Sequence, residues 1–235
     1  MLQYKEAFKR AFPYTIPVLT GYLFIGIAFG VMFEEKGYSF LWAILMSVLV
    51  YAGSGQYLAV NFFVPGFSFI QIVFMTFMVN VRHIFYGVSL LEKFSKIGWK
   101  RWYMIFALTD ETYSLLCTTN VPKGVDAGNF LFAISILDHF YWILGSAIGA
   151  IAGHLLKFSS KGIEFAMTAL FVVIFIEQWM DKKNRIPELI GVVVALISLI
   201  IFKADNFVLP AMLAIVALLF VGRKHLDKEE KVCCR

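Results

Sequence analysis

Arg82, Asp110, Glu111, Asp138 and Glu177 are charged residues set inside long apolar stretches of a 235-residue chain. At a lipid-facing helix centre each would cost about 2.5–3.5 kcal/mol, so ionisable groups kept there are functional candidates. They fall in four clusters: Asn80-Val81-Arg82-His83-Ile84-Phe85-Tyr86, Thr109-Asp110-Glu111-Thr112-Tyr113, Asp138-His139-Phe140-Tyr141-Trp142 and Glu177-Gln178-Trp179. His83/Tyr86, Asp110/Tyr113 and Asp138/Tyr141 repeat one spacing, a titratable group and a phenol at i and i+3. On a helix those positions share a face. Three such faces turned toward one another would line a polar cavity in an apolar shell, the usual make-up of a small-ligand site.

One cation cannot neutralise four carboxylates. The surplus marks Asp110, Glu111, Asp138 and Glu177, with His139 beside them, as candidates for proton coupling. Arg82 has two readings. Its guanidinium can grip a substrate carboxylate bidentately, or it can serve as counter-ion to Asp110 or Asp138. Glu177 is likewise either a site residue or an interfacial carboxylate beside Trp179. His83 and His139 lack a helical metal-ligand partner, and Cys117 has no cysteine nearby, so no metal and no cofactor is expected.

Membrane helices must position these clusters. Sixty per cent of the residues are hydrophobic and 16% charged, against roughly 45–50% and about 25% in a soluble domain; mean hydropathy is +0.77. A chain of this length cannot hide that much apolar surface from water. The expected fold is all-α, a single polytopic transport domain over 1–235 with short tails at about 1–10 and 223–235. Hydrophobic segments run near 13–33, 40–63, 67–91, 103–119, 129–153, 163–180, 186–202 and 206–222, seven or eight in all, one or two of them broken or re-entrant. The first run is too long for a signal-peptide core and reads as an uncleaved span. The net charge of +5 reflects basic residues flanking spans and implies a bilayer partner, not nucleic acid. Three cysteines imply no disulfide framework.

The second segment carries Ala52-Gly53-Ser54-Gly55-Gln56 near its middle. Gly, Ser and Gly in succession are poor helix formers, and broken helices occur at membrane depth only where they are buried in protein or line a cavity. A functional break is expected there. Gly26/Gly30 and Gly145/Gly149/Gly153 read more simply as close helix packing. If all eight segments cross with the N-terminus inside, Lys and Arg divide 12 inside to 8 outside. If segment two is re-entrant and 186–222 makes one net crossing, they divide 14 to 6, which favours the broken segment and a cytoplasmic N-terminus.

In this order, Gly26–Gly30, Ala52-Gly53-Ser54-Gly55-Gln56, Asn80-Val81-Arg82-His83 with Tyr86-Gly87, Thr109-Asp110-Glu111 and Leu137-Asp138-His139 resemble the AzlC family of branched-chain amino acid exporters, over roughly residues 10–220. The resemblance implies a transporter, not an enzyme, in the cytoplasmic membrane of a prokaryote. It also implies export of Leu, Ile, Val and similar apolar amino acids, and a small membrane partner of the AzlD type. The residues suit a zwitterion. Arg82 and the backbone N–H groups near Gly53, Ser54, Gly55 and Gln56 suit a carboxylate, and Asp110, Glu111 and Asp138 suit an ammonium. Asn80, His83, Tyr86, Tyr113 and Tyr141 complete the expected lining. Two rival readings fit the same residues. Ala52-Gly53-Ser54-Gly55 resembles the GxSG motif of rhomboid intramembrane serine proteases, with His139 or His154 as base, and a ring of carboxylates could instead line an ion or solute channel.

Overall fold

A computed structural model describes residues 2–63, 66–95, 97–156 and 185–207, with parts of 165–179 and 210–222. Among the described residues there are helices and no strands. The chain divides into two compact units, Met1–Met167 and Thr168–Arg235. Among its described residues the second contains the helix Arg185–Asn206. Among the described residues the first contains nine: α1 (Leu2–Glu35), α2 (Phe40–Leu49), α3 (Gly53–Phe62), α4 (Phe69–Asn80), α5 (Arg82–Ser89), α6 (Leu91–Ser95), α7 (Lys100–Phe106), α8 (Asp110–Thr118) and α9 (Ala127–Leu156).

Among the described residues, three helical stretches are long and apolar enough to cross a membrane: Gln3–Glu35, Phe69–Ser89 and Ala127–Leu155. The first and third pack side by side and run parallel. Tyr14 meets Phe130 near their starts, Tyr22 meets Trp142 midway, and Glu34 meets His154 near their ends. Glycines let the two backbones touch. A Cβ on Gly30 would lie 2.3 Å from the Ser146 carbonyl oxygen, and one on Gly149 would lie 2.1 Å from that of Ile27. Packing therefore accounts for Gly26/Gly30 and Gly145/Gly149, as their spacing implies.

The segment at 40–63 does not cross. Ser39 caps α2, whose chain reaches mid-depth and turns back as α3. Phe33, Tyr38 and Phe63 form one aromatic cluster, and Phe40 lies against His154. Both feet of this hairpin therefore stand with the C-terminal ends of α1 and α9. Its tip is Val50-Tyr51-Ala52, with Tyr51 at φ 42°, a left-handed conformation costly for an aromatic residue. The break falls just before Gly53, so Gly53–Gln56 forms the first turn of α3 rather than the gap itself.

Segment 103–119 is also a hairpin, which corrects its reading as a crossing. Lys100 sits over the Tyr4 ring and bonds Asn129, while Pro122 lines one recess with Glu6, Arg10 and Tyr14. Both feet stand with the N-terminal ends of α1 and α9. The cause is Leu108-Thr109-Asp110-Glu111. Thr109 accepts a hydrogen bond from the Thr112 N–H as the N-cap of α8, and two acids follow in its first turn, a helix start placed at mid-depth. Between the hairpins, α4 and α5 cross in the opposite sense, from the Phe62–Phe67 contact at one end to the Ser89–Tyr113 bond at the other. A crossing with its hairpin is thus followed by the same plan inverted, the arrangement common in secondary transporters. With two hairpins, α9 runs parallel to α1, the reverse of its direction if 103–119 crossed.

Candidate functional site

The hairpin tips meet beside the midpoints of α1 and α9. His139 on α9 joins them. Its Nε2–H donates to the Ser47 carbonyl (3.1 Å), and its Nδ1 pairs with the Tyr103 hydroxyl (2.8 Å). Its ring stacks on Tyr51 at 4.2 Å between centroids. Gln56 is fully buried and braces the first hairpin, its Nε2 donating to Ser47 Oγ (3.2 Å) and its Oε1 accepting from Trp142 Nε1 (2.8 Å). Gly53 lies against the Trp142 ring at ordinary contact distance, and Gly55 lets the Asn80 amide come closer than a Cβ would comfortably allow. Polar side chains gather around the tips, within a largely hydrophobic interior and an apolar outer surface. Ser47, Ser54, Thr109, Thr112, Asp138 and His139 are buried while Phe24, Trp42, Phe69 and Phe85 are exposed, as a bilayer solvent requires.

Arg82, at the start of α5, connects the N-termini of the two inner half-helices. Its Nη2 donates to Ser54 Oγ in the first turn of α3 (2.7 Å), and its Nη1 pairs with Asp110 Oδ2 in the first turn of α8 (2.9 Å). The Tyr86 hydroxyl donates to the other Asp110 oxygen, and the Tyr86 ring stacks on Tyr113 at 4.3 Å. The pair is partly open, with side chains 30% and 25% exposed. Arg82 Nε has no partner among the described residues.

Two further acids, Glu111 and Asp138, lie beside this pair. Asp138 is fully buried and its Oδ2 accepts from the Thr112 hydroxyl (2.9 Å). Its Oδ1 and the buried Tyr51 hydroxyl lack partners among the described residues. Glu111 accepts from the Tyr22 hydroxyl (2.9 Å).

The structure thus brings Ser54, Arg82, Tyr86, Asp110 and Tyr113 together and sets Glu111 and Asp138 beside them. It does not bring in every expected residue. Tyr141 turns its hydroxyl to Thr15 on α1 (3.0 Å) and His83 pairs with the Asn80 carbonyl within its own turn, while the Asn80 amide donates to the Thr76 carbonyl and still lies against Gly55. Glu177 lies outside the described residues. Ser54 has an arginine on its oxygen rather than a histidine; His139 is engaged by both hairpins and His154 by Glu34. The site also holds Tyr22, Tyr51, Tyr103 and Thr112, to which the cluster spacing gives no role. Thr112 alone carried a signal, standing three residues after an N-cap threonine.

The AzlC protein family model matches residues 17–156, a range holding both hairpins and the crossings between them. The branched-chain amino acid transport protein AzlC of Bacillus subtilis is 47% identical over 95% of this chain and 88% of its own length. An uncharacterized membrane protein of Haemophilus influenzae is 43% identical, covering 89% of this chain and 86% of its own. The inner membrane protein YgaZ of Escherichia coli is 25% identical over 72% of each. No solved structure matches. By family match and by similarity along nearly its whole length, this membrane protein belongs to the AzlC family.

Proposed function

We propose that this chain is a secondary active exporter of branched-chain and other apolar amino acids (Leu, Ile, Val, Met), coupled to protons and working with a small AzlD-type membrane subunit. The observation that carries the reading is the Arg82–Asp110 pair, held where two re-entrant tips meet. A zwitterion fits between opposite charges. Its carboxylate takes Arg82, with Ser54 and the free N–H groups of the first turn of α3, and its ammonium takes Asp110. The ion pair opens, and the dock stays electrically balanced. Glu111 and Asp138 carry the coupling proton, with His139 holding the tips between them. The relative's name supports the substrate class; family resemblance supports the subunit, to which we assign segments 186–202 and 206–222.

The sidedness of charge supports a cytoplasmic N-terminus. Apart from Arg82, residues 1–156 hold nine Lys and Arg. Eight fall in 1–10, 92–101 and Lys123, on the side of the α1 N-terminus, and only Lys36 falls on the other.

The test is leucine flux from proteoliposomes containing this chain and its small partner. Saturable flux that follows an imposed proton gradient is expected. Flux no faster than from protein-free vesicles, with both chains present and folded, overturns the reading.

A further inference from the structure

Between Glu111 and Asp138 runs an unbroken line of hydroxyls. Glu111 Oε2 lies 2.9 Å from the Tyr22 hydroxyl, which lies 2.5 Å from Thr109 Oγ1. Thr109 Oγ1 lies 3.1 Å from Thr112 Oγ1, and Thr112 Oγ1 lies 2.9 Å from Asp138 Oδ2. That makes four oxygen–oxygen contacts. Each hydroxyl brings one hydrogen, so Tyr22, Thr109 and Thr112 supply three. Were both acids ionised, one buried contact would set lone pair against lone pair, which costs the desolvation of an unsatisfied group. One further proton fills the line.

We propose that Glu111 and Asp138 share a single proton through a relay of three hydroxyls, Tyr22, Thr109 and Thr112. Two arrangements satisfy every contact. In one, protonated Glu111 donates to Tyr22, Tyr22 to Thr109, Thr109 to Thr112, and Thr112 to ionised Asp138. In the other every donor is reversed. Passing between them breaks four O–H bonds and forms four, and one proton moves from Glu111 to Asp138 with no net change in charge. The Thr112 N–H donates to Thr109 Oγ1 in both, leaving that oxygen a lone pair for the moving hydrogen. The proton belongs to the pair of acids rather than to either.

Three neighbours of the line are engaged elsewhere. Asp110 is held by Arg82 and Tyr86, His139 by Ser47 and Tyr103, and Tyr141 by Thr15. The buried Tyr51 hydroxyl faces Thr112, Tyr22 and Asp138 but makes no hydrogen bond among the described residues, and neither does Asp138 Oδ1, so the Asp138 end has an oxygen free for the next transfer.

This deepens the proton-coupled reading and rests on it for the proton's use, but the sharing can be measured without transport. The infrared carbonyl band of a buried protonated carboxylic acid is recorded for the purified protein in H2O and D2O. An amide in place of either acid brings its own N–H to that end of the line and supplies the fourth hydrogen. Glu111→Gln and Asp138→Asn should therefore each remove the same band, and the double variant should remove no more. A band that survives in either single variant overturns the sharing. In proteoliposomes, Thr112→Val and Tyr22→Phe should keep leucine affinity and slow leucine-linked proton movement by about a hundredfold, with Thr112→Ser restoring it. Affinity and proton movement falling together, or proton movement at the wild-type rate in both variants, overturns the relay. Wild-type flux without proton movement, with the band behaving as stated, removes the coupling from the proposed function and leaves the shared proton in place.

Discussion

Arg82 and Asp110 pair at 2.9 Å between the first turns of two half-helices that enter from opposite sides. If the pair is the zwitterion dock, Arg82→Lys should weaken leucine binding by about tenfold to a hundredfold, the loss of a charged hydrogen bond worth about 1.5–3 kcal/mol. Arg82→Gln combined with Asp110→Asn should bind no better. Recovery of leucine affinity in that double variant, measured by calorimetry on folded protein, would show Arg82 to be a counter-ion and nothing more.

The hairpins make a prediction about sides. With Cys117, Cys233 and Cys234 replaced, single cysteines at Ser39 and Gly66 should react with a membrane-impermeant maleimide from one compartment, and cysteines at Ser95 and Val121 from the other. Were 40–63 or 103–119 a crossing, one member of a pair would change sides.

The α1–α9 contact predicts a steep stability cost. Gly30→Ala and Gly149→Ala each drive a methyl into backbone, and overpacking of this kind costs about 1–3 kcal/mol or more. A Cβ on Gly21 meets nothing within 4 Å, so Gly21→Ala should be silent. Thermal unfolding in one detergent compares the three.

Trp142→Phe should leave the fully buried Gln56 Oε1 without its donor. The expected loss is about 1–3 kcal/mol, read as a lower unfolding temperature, with the tip of the first hairpin exchanging its amide hydrogens faster.

Membrane helices, the polar clusters and the pairing of Arg82 with a carboxylate were all legible in the sequence, because charge in an apolar run has few uses. The broken second segment was legible too, one turn late, since Gly53-Ser54-Gly55 weakens a helix whereas Tyr51, which makes the turn, looks like a lipid-facing aromatic. Segment 103–119 misled because hydropathy is blind to direction, and a chain that reaches mid-depth and returns is as apolar as one that crosses. Its signal was Thr109-Asp110-Glu111, a helix start inside a span, read as a polar cluster alone. Tyr22 could not have been found. It is one phenol in an apolar helix until folding sets it between Thr109 and Glu111.

Where the backbones of α1 and α9 touch at Gly26, Gly30, Gly145 and Gly149, no side chain stands between them that could swing aside. That seam is electrical insulation. A membrane that stores a gradient loses it through any cleft that fills with water, and a joint made of main chain against main chain has no rotamer with which to open one. On the proposed function, substrate and proton pass by the hairpin tips, and the long parallel pair behind them is the wall that keeps the gradient from leaking away.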